Sequence, residues 1–450
     1  MGEVAVRSTV RSLALICSVA AAGLLSTTPA ASQTPPPSAP VVPAPVAADV
    51  PPDIAGFYQT YAGMQIWLRN GTDSAAIHQL ISILQRAPFD GYPEGVAAAS
   101  RVQAALAQAG TSPAAKAAAE QTLSSAWVRY VQALKQPTAG MIYAYPVLKP
   151  QGTKTRDILL SAAAAPSLEQ YLTSTAALNP VYSQLRDTAW AEAQASGNMT
   201  PDPRLLANLD RARSIPSSGR FLLVDSGSQR LTLYDDGKPL DSMKVIVGTD
   251  QLPTPLISSI MYYVTYNPYW HAPDHLVRKT IAPTVLKQGF GYLKSHGYHV
   301  IEAWSATPTM VDPTKVDWKG AAAGTTHLLV QQDPGPLNSM GRLKFPFPNP
   351  EDIYLHDTPN KALFAKDVRF LSNGCVRVED APRLGRWLLG QDPKAPSADP
   401  ELAVQIPKGV PIVLTYLTAQ VKDGKLTYVP DVYGWDKAPP TQFVASTSTQ

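Results

Sequence analysis

Cysteine is nearly absent from this chain, with two in 450 residues, Cys17 and Cys375. Beyond residue 32 Cys375 stands alone, so no internal disulfide can form there, and the thiol is a buried bystander, an intermolecular link or a nucleophile. Charge is scarce as well. Charged side chains make up 16% of the chain, with 38 Lys and Arg against 35 Asp and Glu, so no one-signed field draws nucleic acid as the main partner. Beyond residue 32 no apolar run approaches the ~20 residues that a membrane helix needs. A Gly-x-Ser-x-Gly elbow, a Walker loop and a dinucleotide fingerprint are also missing. No repeat of about 20–50 residues is visible, which excludes solenoids and propellers. Proline is the residue in excess, 43 in all, and it disfavours coiled coils and long helical arrays for the chain as a whole. Apolar residues at 45% still allow a sizeable core, and the length suits two or three domains.

Residues 1–32 read as an export signal. Arg7 and Arg11 precede an uncharged run from Leu13 to Leu25, and small residues follow up to Ser32. The run is too short to span a bilayer, so no permanent membrane anchor is expected; a retained signal is the alternative. Residues 33–52 carry eight prolines and read as an extended tether. From 53 to 216 the pattern is that of an Ala-rich helical scaffold. Ser112-Pro113 opens a helix that runs to Lys135, Ser167 with Gln170 opens another as a capping box, and a third spans roughly 181–195 and ends near Gly197. His78 reads as an ordinary surface or cap residue.

At Arg220 the texture changes. Phe221–Val224, Leu231–Tyr234 and Met243–Val247 are apolar runs separated by short Gly and Asp turns, which predicts antiparallel strands. Further strands are expected at 261–266, 300–304, 327–331, 353–356 and 411–417. The fold class is therefore α+β and multidomain: the helical scaffold, then a mainly antiparallel β domain over 217–418. Residues about 271–350 read as an insertion capping one end of the sheet. Residues 419–450 would form a hairpin through Asp423-Gly424 and a tail.

The chemistry concentrates in Tyr354-Leu355-His356-Asp357 and Ser372-Asn373-Gly374-Cys375-Val376-Arg377. A thiol becomes nucleophilic beside an imidazole or a positive dipole, and His356 can supply the base if the intervening residues fold back. Gly374 permits a tight turn, and the N–H groups at 374 and 375 can face an oxyanion. Tyr354 lies two residues before His356, on the same face of a strand; its hydroxyl either joins the oxyanion hole or packs in the core. One His and one Cys at this spacing are by themselves a weak signal.

These residues resemble the L,D-transpeptidases with a YkuD-type catalytic domain, marked by a histidine followed a short way downstream by Ser-x-Gly-Cys, a hydrophobic residue and Arg. The resemblance extends to the larger YcbB-like branch through Gln229–Tyr234, Val245–Gly248 with Pro253-Thr254-Pro255, Asn267-Pro268-Tyr269-Trp270, Gln332–Pro336 and His356–Pro359, over roughly 205–418. It implies a β-sandwich domain with a capping subdomain, location in the periplasm, and no cofactor. Its substrates would be peptidoglycan stem peptides as donor and acceptor, with other cell-wall synthesis proteins as further partners. Cys375 would attack the third-residue carbonyl of a tetrapeptide stem, release D-Ala and pass the acyl group to an amine of another stem, giving a 3→3 cross-link. His356 would carry the proton and the Asp357 backbone would orient the imidazole. Gly374 would offer its backbone to the oxyanion, and Ser372 would shape the turn before the nucleophile.

Arg377 either grips a substrate carboxylate or pairs with Glu379 or Asp380. Trp270 either walls the cleft or packs. Asn373 stands where many relatives carry His and is, with Ser372, a candidate substrate contact; His271 follows Trp270 where another polar residue is usual, and no separate peptidoglycan-binding module is evident. Two activities share this site if water takes the thioester instead, L,D-carboxypeptidase and endopeptidase; a non-catalytic wall-binding scaffold is the rival of another class. The pairs His271/His275 and His296/His299 lack the companions of a metal site, and none is expected.

Overall fold

The computed structural model describes residues 50–305 and 307–438; the expected export signal, most of the tether and the tail from 439 onward lie outside the described residues. Among the described residues, eight α-helices come first, from Pro52–Thr60 to Pro203–Ala212. The abundant proline serves these helices at their starts. Ser112 caps Pro113–Leu134, Asn179 caps Pro180–Ser196 and Asp202 caps Pro203–Ala212, each accepting an amide bond from the first turn while proline takes the first helical position. Ser167 caps Leu168–Ala177 by accepting from the Gln170 amide without a proline, and Gly197, left-handed at φ 76°, ends Pro180–Ser196. His78 pairs with Asp73 at the surface. The longest helix sits centrally, with Leu123, Trp127, Tyr130, Val131 and Leu134 buried. No helix among the described residues is long and apolar enough to cross a membrane.

Nine strands build the domain that follows: β1 (Phe221–Asp225), β2 (Arg230–Asp235), β3 (Lys238–Gly248), β4 (Ile257–Tyr266), β5 (Leu343–Pro346), β6 (Tyr354–His356), β7 (Phe370–Ser372), β8 (Val376–Val378) and β9 (Leu402–Thr415). They run in the order β4-β5-β6-β8-β3-β2-β1-β9, and β9 then pairs along β4, so the two layers expected of a sandwich are joined edge to edge. β7 adds to β3. Most neighbours are antiparallel, but β6 and β8, β1 and β9, and β3 and β7 are parallel. The interior holds Leu222, Val224, Leu231, Val245, Val247, Leu355, Val376 and Val378, with Leu384 and Leu388 of the helix Ala381–Leu389 packed against them. The unbroken apolar run at 221–224 follows from burial on both faces: Leu222 and Val224 face this interior, whereas Phe221 and Leu223 join the core of the helical scaffold. The hairpin Ala419–Lys422 with Lys425–Tyr428 returns to the helices, and Arg211 binds the Trp435 carbonyl at 2.6 Å and the Asp436 carboxylate.

The insertion is a separate small body. Four strands, Trp270–Ala272, Leu329–Gln332, Tyr298–Ile301 and Met310–Val311, form their own sheet around a core of Val277, Ile281, Val285, Val300, Trp318 and Val330. It ends sooner than the expected 350, because 343–346 is β5 of the main sheet and pairs with β4 and β6. The motifs at 267–270 and 332–336 form its root. The buried Asn338 side chain bonds to the carbonyls of Pro268, Gln332 and Asp333, while the Asn267 amide bonds to the Arg342 carbonyl.

Candidate active site

Register explains why the chemically interesting residues meet. On β6 and β8 Leu355 lies beside Val376 and His356 beside Arg377. Leu355 and Val376 are fully buried in the interior, so alternation turns Tyr354, His356, Cys375 and Arg377 to the opposite face. Cys375 and His356 are then diagonal neighbours, at about 7–8 Å between backbones, within an imidazole's reach. A parallel pair needs a long crossover, which the chain supplies between 357 and 375.

His356 is 6% exposed, and its Nδ1 lies 2.6 Å from the Asp357 carbonyl oxygen. A carbonyl only accepts, so this contact assigns the proton to Nδ1 and leaves the Nε2 lone pair free. Burial and then the Arg377 guanidinium bring its pKa down to about 3, so the ring is neutral at physiological pH. The Asp357 carboxylate is engaged elsewhere, accepting from Lys361 Nζ at 2.7 Å and the Arg342 amide at 3.0 Å. Burial pushes the Cys375 thiol up, partly offset by the main-chain N–H and hydroxyl of Tyr354. Thiol and imidazole thus rest uncharged. Burial holds the Tyr354 hydroxyl protonated, able to donate.

The turn before the cysteine is fixed at two points. Ser372 Oγ donates to the Cys375 carbonyl at 2.6 Å, and Thr254 Oγ1 donates to the Gly374 carbonyl at 2.7 Å while accepting from the Gly248 amide at 2.9 Å. Gly374 has φ +108°, a conformation that a side chain rarely adopts. Because a trans peptide is planar, a Gly374 carbonyl held toward Thr254 turns the Cys375 N–H the other way. Tyr433 Oη supports the same loop by donating to the Gly248 carbonyl at 2.7 Å. In the sequence Thr254 stands out only as part of Pro253-Thr254-Pro255. A hydroxyl between two prolines, buried in an otherwise exposed or half-exposed loop, is the available signal.

Lys344 has no counterpart among the residues expected at the site. It lies opposite His356 on β5, half-buried, with its ammonium 4.6 Å above the Tyr354 ring. Its signal in the sequence is a single charge alternating with the buried Leu343 and Phe345. The pairing of Arg377 with Glu379 or Asp380 does not form. Glu379 accepts from the Lys244 amide at 3.0 Å, and Asp380 caps the next helix through the Arg383 amide at 3.0 Å. Asn373 is exposed. Trp270 lies on the other sheet, half-buried against the insertion's core, its ring 6.2 Å from that of Tyr298. The paired histidines have separate partners: His299 bonds Asp333 at 2.7 Å, His271 lies against Trp304 and His296 against Tyr292. Among the described residues no three His, Cys, Asp or Glu side chains converge on a metal position.

Residues 219–412 match the family described as the L,D-transpeptidase catalytic domain, YkuD, and residues 52–188 match a Scaffold domain. The strand-rich domain thus falls in an acyltransferase class, here behind a helical scaffold. Residues 219–412 thereby resemble an L,D-transpeptidase catalytic domain preceded by a scaffold domain. A curated Haemophilus influenzae protein designated an L,D-transpeptidase is 27% identical over 395 residues, 86% of this chain and 78% of that protein. Solved L,D-transpeptidases are more distant. That of Mycobacterium smegmatis is 12% identical with a TM-score of 0.23, covering 44% of this chain and 60% of that one. That of Xylanimonas cellulosilytica is 16% identical with a TM-score of 0.20, covering 52% and 79%. Likeness this low carries no argument about the chemistry.

Proposed function

We propose that this chain is a peptidoglycan L,D-transpeptidase that forms 3→3 cross-links through a thioester on Cys375, exported to the periplasm by the signal at its N-terminus. The observation that carries the reading is the single face shared by Cys375 and His356, with Nδ1 bonded to the Asp357 carbonyl and Nε2 left to act.

Sγ attacks the carbonyl of the third residue of a tetrapeptide stem while its proton passes to His356 Nε2. The oxyanion takes the Cys375 N–H, held outward by the Thr254–Gly374 bond, and the Tyr354 hydroxyl. Collapse breaks the C–N bond, and Nε2–H protonates the departing D-Ala amine. The side-chain amine of a second stem then attacks the thioester and gives its proton to Nε2. The thiolate leaves and takes that proton back. Starting from two neutral groups suits this sequence, because charge appears only as the bond forms.

Incubation of the protein with disaccharide-tetrapeptide and mass analysis of the products tests the reading. A dimer lacking one D-Ala, absent with Cys375→Ala and His356→Ala, is the expected result. Tripeptide and free D-Ala without dimer would assign the carboxypeptidase activity instead, and unchanged substrate would contradict catalysis.

A further inference from the structure

Three strands place one ionisable residue each in a single row across the sheet: Lys344 on β5, His356 on β6 and Arg377 on β8. Two cations therefore flank a buried neutral imidazole. Among the described residues neither makes a salt bridge or donates a hydrogen bond to protein, and the neighbouring acids are already engaged. Asp357 holds Lys361, Glu379 and Asp380 take main-chain amides, and the Glu401 carboxylate accepts from the Tyr269 amide at 2.8 Å. Exposed Asp352 accepts from Cys375 Sγ through its main-chain carbonyl at 3.7 Å, and among the described residues its carboxylate forms no salt bridge with either cation. Desolvating an unpartnered cation is costly, so such a pair is built for an anion that arrives with the ligand.

The order across the sheet says which anion meets Lys344. Cys375 stands on the β8 side of His356 and Lys344 on the β5 side. An acyl carbon bonded to Sγ puts the departing nitrogen at Nε2, toward β5. In an α-amino acid leaving group the carboxylate is one carbon beyond that nitrogen. We propose that Lys344 binds the free C-terminal carboxylate of the departing residue, making the site specific for a scissile bond one residue from a chain end. This rests on the transpeptidase reading. The Tyr354 ring steers the ammonium from beneath, and the lysine is a specificity-determining residue rather than a proton carrier.

Two donors decide the matter: the tetrapeptide with its terminal D-Ala as free acid, and the same peptide with that carboxyl amidated. Release of D-Ala or D-alaninamide is followed at pH 7.5 with the wild type, Lys344→Met and Lys344→Arg. The wild type is expected to favour the acid roughly ten- to a hundredfold in kcat/KM, the range of a charge-assisted hydrogen bond. Lys344→Met abolishes that ratio by lowering the acid far more than the amide, and Lys344→Arg keeps it. An effect relayed through His356 would instead lower both donors together and would overturn the assignment. So would an acid preference that survives in Lys344→Met, or a wild type that treats both donors alike. Failure of the wild type to release D-Ala from the free acid overturns the transpeptidase reading itself, and the assignment with it.

Discussion

Replacing Thr254 by valine removes one oxygen and nearly preserves shape, so its effect isolates a hydrogen-bond relay. The side chain is 1% exposed and joins the Gly248 amide to the Gly374 carbonyl. Valine leaves both groups buried without a partner, at about 1–3 kcal/mol each. A rotation of the 374–375 peptide can recover part of that loss, but it swings the Cys375 N–H away from the oxyanion. Removing one such donor lowers kcat by about 10²–10³-fold. The expected result is therefore a folded variant with kcat down by that factor and KM little changed, restored by Thr254→Ser. Steady-state D-Ala release and urea denaturation on the same preparations separate the two effects. A Thr254→Val protein with kcat within a few-fold of wild type would refute the reasoning.

The pH dependence follows from two neutral partners. His356 titrates near 3 when folded against about 6.5 unfolded, so the acid limb of kcat/KM is expected far below pH 6, and Arg377→Met moves it upward by removing a flanking cation. Lys344 acts in the same direction and Asp357 against it. For stability, the unfolded chain binds this proton first. The contribution is full above about 6.5 and erodes as pH falls toward 3; an acid limb near 6.5 in folded enzyme would contradict the assignment.

Much of the architecture is legible in the residues because its signals are local. Ser112, Ser167 and Gly197 mark helix ends by their own backbone chemistry, and the apolar run at 221–224 announces a strand, whose burial on both faces emerges only from the packed layers. The pairing of β9 with both β1 and β4 is not legible, since closure joins segments far apart in the chain that show only ordinary apolar patterns. The same limit applies to the site. His356 and Cys375 stand out by residue type and spacing, whereas Lys344 and Thr254 become meaningful only when register brings them beside the histidine and the turn. The expected end of the insertion at 350 falls too late because loop residues fill 333–342 and hide the short β5. Arg377 shows the converse, since the nearest acids in sequence are committed to other amides and the guanidinium is left facing the site.

The central claim concerns a covalent bond, and intact-protein mass spectrometry tests it most directly. Protein mixed with tetrapeptide donor and no acceptor, then quenched in acid, is expected to gain the donor mass less D-Ala. Peptide mapping should place the adduct on Cys375, and Cys375→Ala should carry none. D-Ala release without any adduct, or an adduct on another residue, would contradict the account.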